Sequence, residues 1–197
     1  MLCGTVFSST HWVRNIDVPK LLLVRHCDST GQVPDAPLTP EGSVQAVALA
    51  AWLRDWEVDW IVSSPYRRAL ETIQPFAAHA GQPVHIHDDL AERRLSPQPI
   101  TYWREVVRRG FLDPAHRVPG GESAAEALER GWNVILEIFR AGHRMPVAVS
   151  HGQLLSLVFH TLRPDFGFED WQRLSFPDVH LLEGSIDGPF TFQRVWR

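Results

Sequence analysis

A chain of 197 residues with 44% apolar side chains suits one domain with a sizeable core, and its composition resembles neither a disordered nor a fibrous protein. The formal net charge is −4 and the pI about 6.2, so no global basic signal points to nucleic acid or a membrane surface. Cys3 and Cys27 match no disulfide framework or zinc-ribbon spacing.

The first eighteen residues lack the basic and long apolar regions of a signal peptide. No stretch approaches the ~20 apolar residues of a membrane span. The chain therefore reads as soluble and cytoplasmic, with no nucleic-acid or membrane partner and its oligomeric state open. Lysine chemistry has one candidate, Lys20, which stands beside eighteen arginines.

Taken in order, the segments alternate strand and helix. "KLLLVRH" (20–26) is a continuous apolar run ending in polar groups, as in a strand buried on both faces. "LTPEG" (38–42) starts a helix, with Thr39 as cap and Pro40 in the first turn. Val44, Val47, Ala48 and Ala51 share one face of it. "DWIVSS" (59–64) is a second buried strand. "PYRRALETIQPFAAHAG" (65–81) is a helix that Gly81 can end and Pro75 can kink. "PVHIH" (83–87) is a short third strand.

Residues 93–121 are irregular and rich in Arg, Pro and Gly, with one helix expected around 101–110. The next helix is the clearest. Ser123 and Glu126 have capping-box spacing, and Ala125, Leu128, Trp132, Ile135 and Phe139 form its expected buried stripe. "PVAVS" (146–150) is a fourth strand, "GQLLSLVFHTL" (152–162) the helix after it, and the tail offers strands at 178–184 and 190–196. This is an α/β pattern: a largely parallel sheet with helices on both faces. One domain over 1–197 is expected, with a core at about 20–163 and 93–121 as an insertion.

In open α/β sheets ligands bind beyond the carboxyl ends of the strands. Three strand ends here carry polar groups: Arg25-His26, Ser63-Ser64 followed by Arg67-Arg68, and Ser150-His151 followed by Gly152. If the strands are parallel, two imidazoles, at least two guanidinium groups and a helix N-terminus share one edge, which suits an anion such as phosphate. A solvated loop is the plainer reading of each junction taken singly.

At these residues the sequence resembles the histidine phosphatase superfamily, also called the phosphoglycerate mutase-like family. "LVRHCDST", "SSPYRRALET", "LAER" and "SHG" stand in that family's order and spacing, and the "PLTPEG" and "PGGES" helix starts match too. The resemblance covers about residues 20–160 and implies a three-layer α/β/α sandwich. It implies His26 as the nucleophile that forms a phosphohistidine, Arg25 and Arg68 as the grip on the phosphoryl oxygens, and His151 against the transferring group. Glu92 aligns with the general acid.

The implied phosphate ligands are Arg25, Arg68, Ser29, Gln32 and Gly152, with no metal and no cofactor. The implied partner is a small phosphorylated substrate. Nearby cations disfavour an imidazolium, so the two arginines would keep His26 neutral.

Cys27 stands where the family carries Gly, Ser29 where it carries Thr, and Gln32 where many members carry Asn. A thiol nucleophile in a Cys-x₅-Arg loop is the rival reading, but the count from Cys27 reaches Val33 and that from Cys3 reaches Ser9. His85 and His87 share a strand face and have ligand spacing, although the exposed end of an edge strand is the simpler reading. His79, His116, His143, His160 and His180 are taken as surface or core residues. Glu122 is taken as a capping residue in a segment that borders the pocket in this family. Arg93, Arg94, Arg104, Arg108 and Arg109, with Tyr102 and Trp103, form either a substrate wall or a solvated helix.

A phosphomonoester hydrolase is the expected function. A phosphoglycerate mutase and a non-catalytic phosphate-binding protein of the same fold are the alternatives. The segment between Glu92 and His151 is shorter than mutases of the family generally carry, which favours the hydrolase.

Overall fold

The computed structural model describes residues 18–196. Cys3 and the segment read for a signal peptide lie outside the described residues. Six strands form one sheet: β1 Lys20–Arg25, β2 Trp60–Ser63, β3 His85–Ile86, β4 Pro146–Ser150, β5 Asp178–Gly184 and β6 Phe190–Arg194. The order is β3-β2-β4-β1-β5-β6. The first four strands are parallel, β5 pairs antiparallel with β1, and β6 pairs antiparallel with β5 at the edge.

Among the described residues the α-helices are α1 Pro40–Leu53, α2 Arg67–Ala80, α3 Trp103–Leu112, α4 Ala124–Ala141, α5 Gly152–Leu162 and α6 Phe168–Arg173. The alternation of the strands assigns the two core layers. Leu21 and Leu23 pack with Ile135, Ile138, Leu155 and Phe159 of α4 and α5. Leu22 and Val24 turn the other way, onto Leu49 and Leu53 of α1 and Ile73 and Phe76 of α2. The result is the expected α/β/α sandwich.

The helix ends follow from side chains that satisfy free backbone groups. Thr39 Oγ1 accepts from the Gly42 N–H at the start of α1. Ser123 and Glu126 form the complete capping box of α4. Gly81 ends α2 at φ +64°, a left-handed position where glycine carries no Cβ penalty. Helix α2 continues through Pro75.

Two helix faces differ from expectation. Val44 and Val47 of α1 are exposed by 64% and 62%, and the buried face is Gly42, Ala46, Leu49 and Leu53. In α4 the buried set is Ala124, Ala127, Gly131, Val134, Ile135 and Ile138, about one residue away from the expected stripe. Leu128, Trp132 and Phe139 flank it and Ala125 is exposed. Both helices are apolar beyond a single stripe, so packing rather than periodicity chose the face.

Candidate active site

The ladders between β2, β4 and β1 run just past the strand ends. The His26 N–H donates to Ser150 O (3.0 Å) and the Ser64 N–H to Val149 O (2.9 Å). These bonds set Arg25-His26, Ser64 and Ser150-His151 side by side on one sheet edge.

His26 is 3% exposed and held at both nitrogens. Arg68 Nε, which can only donate, lies 3.1 Å from His26 Nε2. Nε2 is therefore the acceptor, and Nδ1 carries the proton that it donates to Cys27 O at 2.6 Å. Burial, with Arg68 and then Arg25 adding to it against the Cys27 carbonyl, pushes the His26 pKa down to about 3. The ring is neutral at physiological pH, with its lone pair on Nε2.

Thr72 closes the ring of bonds. Its hydroxyl accepts from the Cys27 N–H (2.9 Å) and donates to Arg68 O (2.7 Å). One turn of α2 thus fixes both the arginine and the peptide that orients His26. Arg68 itself is fully buried, and its Nη1 donates to the carbonyls of Gln32 (3.2 Å) and Val33 (3.1 Å). Its neighbour Arg67 turns outward and pairs with Glu71 at 2.7 Å.

On the other side of His26, Arg25 donates to Leu174 O (2.7 Å), and its guanidinium lies 3.6 Å from the centre of the Phe176 ring. Burial lowers the Arg25 pKa to about 10, leaving it cationic. The segment bearing Phe176 is tied down from behind. Asp178 accepts from the Ser175 N–H (2.8 Å) and from Arg194 Nε (2.8 Å).

His151 is fully buried, its ring 5.1 Å from that of His26, and its Nε2 meets Ser64 Oγ at 2.7 Å. Burial first, then the neighbouring His26 and arginines, hold its pKa well below the usual imidazole range. Tyr66 sets its ring 5.0 Å from the His151 ring.

Glu92 lies at the start of α5. Its Oε1 accepts from the N–H groups of Arg93 (2.9 Å) and Leu154 (3.1 Å), and its Oε2 accepts from Gln153 N–H (3.1 Å). Oε2 keeps one lone-pair position open and the Gly152 N–H is not engaged by Glu92. The loop that carries Glu92 is braced from below. Arg130 forks onto Glu122 (2.6 and 2.9 Å) and donates to the carbonyls of Asp89 and Ala91, while Ser150 Oγ holds Leu90 O. Glu122 is therefore half of this brace; Ser123 performs the capping that was expected of it. Gly152 is closely packed: a Cβ there would stand 3.0 Å from Arg25 Nε and 3.2 Å from Trp171 Nε1, so those side chains would have to shift by a few tenths of an ångström.

Arg25, His26, Arg68, Glu92, His151 and Gly152 thus come together. Ser29 and Gln32 lie on the loop after β1: Ser29 Oγ donates to Gly31 O (3.2 Å), and Gln32 contributes its carbonyl to Arg68 while its side chain is exposed. Among the described residues, the buried side-chain atoms without a hydrogen-bond partner are Arg25 Nε, Arg68 Nη2, His151 Nδ1, Gln153 Oε1 and Ser156 Oγ. Buried polar atoms are ordinarily paired, so the unpaired guanidinium nitrogens beside His26 suit an anion.

The Cys27 thiol is enclosed. Cys27 is fully buried against Leu38 and Ala46, and burial pushes its pKa up to about 12. Its backbone has no positive φ, so nothing there demands glycine.

Other candidates resolve simply. His85, on the edge strand, stacks on Trp60, and His87 caps the turn after it. Among the described residues no group of three or more His, Cys, Asp or Glu could hold a metal. Helix α3 is amphipathic, with Arg108 and Arg109 paired to Glu105 at the surface. Arg93 is buried and donates to Glu122 O. Sequence reasoning passed over Tyr66, Phe176 and Asp178. The signal for the last two was the tail strand, whose antiparallel pairing sets Asp178 opposite Arg25.

Fold and site together set two imidazoles and two arginines on one sheet edge. The family model of the histidine phosphatase superfamily (branch 1) matches residues 21–189, and the chain belongs to that family. The match runs on through β5, beyond the motifs quoted from the sequence.

The chain is 32% identical over 162 residues to a glucosyl-3-phosphoglycerate phosphatase of Mycolicibacterium vanbaalenii, covering 71% of this chain and 72% of that protein. It is 28% identical over 156 residues to a probable phosphatase of Schizosaccharomyces pombe. That match covers 72% of this chain and 55% of the relative, so the chain spans little more than half of that protein's length. A solved structure of a mycobacterial glucosyl-3-phosphoglycerate phosphatase shares the fold, with a TM-score of 0.74 at 23% identity over 90% of this chain and 98% of that one. Among the described residues no helix is long and apolar enough to cross a membrane.

Proposed function

We propose that this chain hydrolyses a small phosphomonoester through a phosphohistidine on His26. The observation that carries the reading is the unprotonated Nε2 of a buried neutral imidazole on a sheet edge where Arg25, Arg68 and His151 each leave a buried nitrogen unpartnered. Phosphatases among its relatives support it.

As phosphate binds, the Arg68 Nε–H hydrogen bond passes from His26 Nε2 to a phosphoryl oxygen, and the freed Nε2 lone pair attacks phosphorus as the ester P–O bond breaks. The leaving alkoxide takes a proton from Glu92, whose open Oε2 position is the one free to carry it. Water then attacks the phosphohistidine, Glu92 receives the water's proton, the P–N bond breaks, and neutral His26 is restored. General acid–base help of this kind is worth about 10²–10⁴-fold. Arg25, Arg68 and His151 spread the charge of the transferring group, with Gly152 N–H beside them and Ser29 and Gln32 on the loop that Arg68 secures. This assignment calls on no metal.

Hydrolysis of an aryl phosphate should survive chelator and be lost in His26→Ala. Activity that vanishes with chelator, or persists without His26, refutes the mechanism. A mutase is separated from a hydrolase by supplying 3-phosphoglycerate with a bisphosphoglycerate primer: phosphate release should outrun phosphoryl exchange.

A further inference from the structure

We infer that Ser64 is a positioning residue that decides which nitrogen of His151 carries the proton. His151 is fully buried between His26 and Tyr66, near the guanidinium groups of Arg68, Arg130 and Arg25, so its ring is neutral and bears a single N–H. A neutral imidazole can present that proton on Nε2 or on Nδ1, with opposite consequences for an anion.

Ser64 is also fully buried, and its Oγ has two partners: the Tyr66 N–H, which donates to it at 3.2 Å, and His151 Nε2 at 2.7 Å. The Tyr66 N–H can only donate. The hydroxyl proton therefore has one acceptor, His151 Nε2. Were Nε2 protonated instead, both neighbours would donate to Oγ and the buried Ser64 O–H would be left without an acceptor, an arrangement that disfavours itself strongly.

Nε2 is thus the bare nitrogen and Nδ1 the protonated one. Nδ1 is the buried atom of this ring that lacks a partner. His151 consequently meets a phosphoryl oxygen as a neutral N–H donor, and the short β2–α2 junction is what makes it one. The consequence for turnover rests on the phosphohistidine mechanism; the protonation state itself does not.

The test reads the ring directly. In ¹⁵N-histidine-labelled full-length protein, long-range ¹H–¹⁵N correlations distinguish the two tautomers, with the His151 signals assigned by their loss in His151→Asn. The native protein should show protonated Nδ1 and bare Nε2. Ser64→Ala should lose that preference, and its aryl phosphate turnover should fall about 10- to 100-fold with KM little changed, as for a misdirected charge-stabilising donor. Ser64→Thr, which keeps the hydroxyl, should restore both.

A native spectrum with the proton on Nε2 overturns the inference, and that spectrum decides even if Ser64→Ala fails to fold. A folded Ser64→Ala with an unchanged tautomer overturns it too, as does a Ser64→Thr that matches Ser64→Ala while melting like the native protein. A native protein with the Nδ1–H tautomer and no hydrolysis would remove the phosphohistidine mechanism and leave the assignment of Ser64 standing.

Discussion

Thr72→Val probes the ring of bonds that holds the candidate nucleophile. Valine has nearly the shape of threonine, so the change opens no large cavity in this fully buried position. It removes the acceptor of the Cys27 N–H and leaves that donor buried and unpaired. Such a group costs about 1–3 kcal/mol. At about 2–4 °C per kcal/mol for a protein of this size, the melting temperature should fall by about 2–12 °C. The peptide also carries the carbonyl that accepts from His26 Nδ1, so the ring loses its fixed orientation. We expect kcat on an aryl phosphate to fall roughly tenfold or more, since small misplacements of reacting groups are costly. Thr72→Ser keeps the hydroxyl and is the control. Paired melting and kinetic measurements decide: a Thr72→Val that matches Thr72→Ser in both refutes the role given to this hydroxyl.

Three other outcomes follow from the same geometry. Gly152→Ala forces a Cβ to within 3.0 Å of Arg25 Nε and should cut kcat/KM about tenfold with no loss of helix stability, as read by melting; unchanged kinetics would show that Arg25 is not held where we place it. Cys27→Gly should retain most turnover while losing about 1–3 kcal/mol from the emptied space, measured by urea unfolding; a variant that folds but does not turn over would restore the thiol as a candidate.

Stability should also fall in acid. Burial lowers the pKa values of His26 to about 3, His180 to about 4, and His151 in the same direction. Below pH 6.5 the unfolded chain takes up protons that the folded chain refuses, so stability is full above that pH and drops as pH falls toward 3–4. The slope is up to about 1.4 kcal/mol per pH unit for each group. Urea midpoints at pH 7.5 and 5.0 check it, and a midpoint that holds or rises at pH 5.0 contradicts the sign.

Much of this was legible in the sequence because parallel strands must bring their carboxyl ends to one edge. Arg25-His26, Arg68 and Ser150-His151 could be gathered from their places after apolar runs, and the cap residues Thr39 and Ser123 marked their own helices. The buried face of α1 could not be read. Val44, Ala46, Val47, Ala48 and Leu49 are all apolar, and the choice fell to Gly42 and Ala46, small enough to sit against the Asp28 carbonyl and beside Cys27. The parts of the site that come from the tail, Phe176 over Arg25 and Asp178 behind it, depend on an antiparallel pairing that no spacing announces. Nor does the sequence distinguish Glu122 as a cap from Glu122 as the partner of Arg130, eight residues away on the next helix.

The central claim is that His26 Nε2 takes the phosphoryl group, and trapping that adduct tests it most directly. A burst of phosphoryl-labelled substrate should be quenched in base, where a phosphohistidine survives, and the labelled peptide sequenced by mass spectrometry. The account predicts one phosphoryl group on His26, lost on mild acid treatment and absent from His26→Ala. Label on Cys27 or on any other residue, or turnover by an enzyme that never carries label, would contradict it.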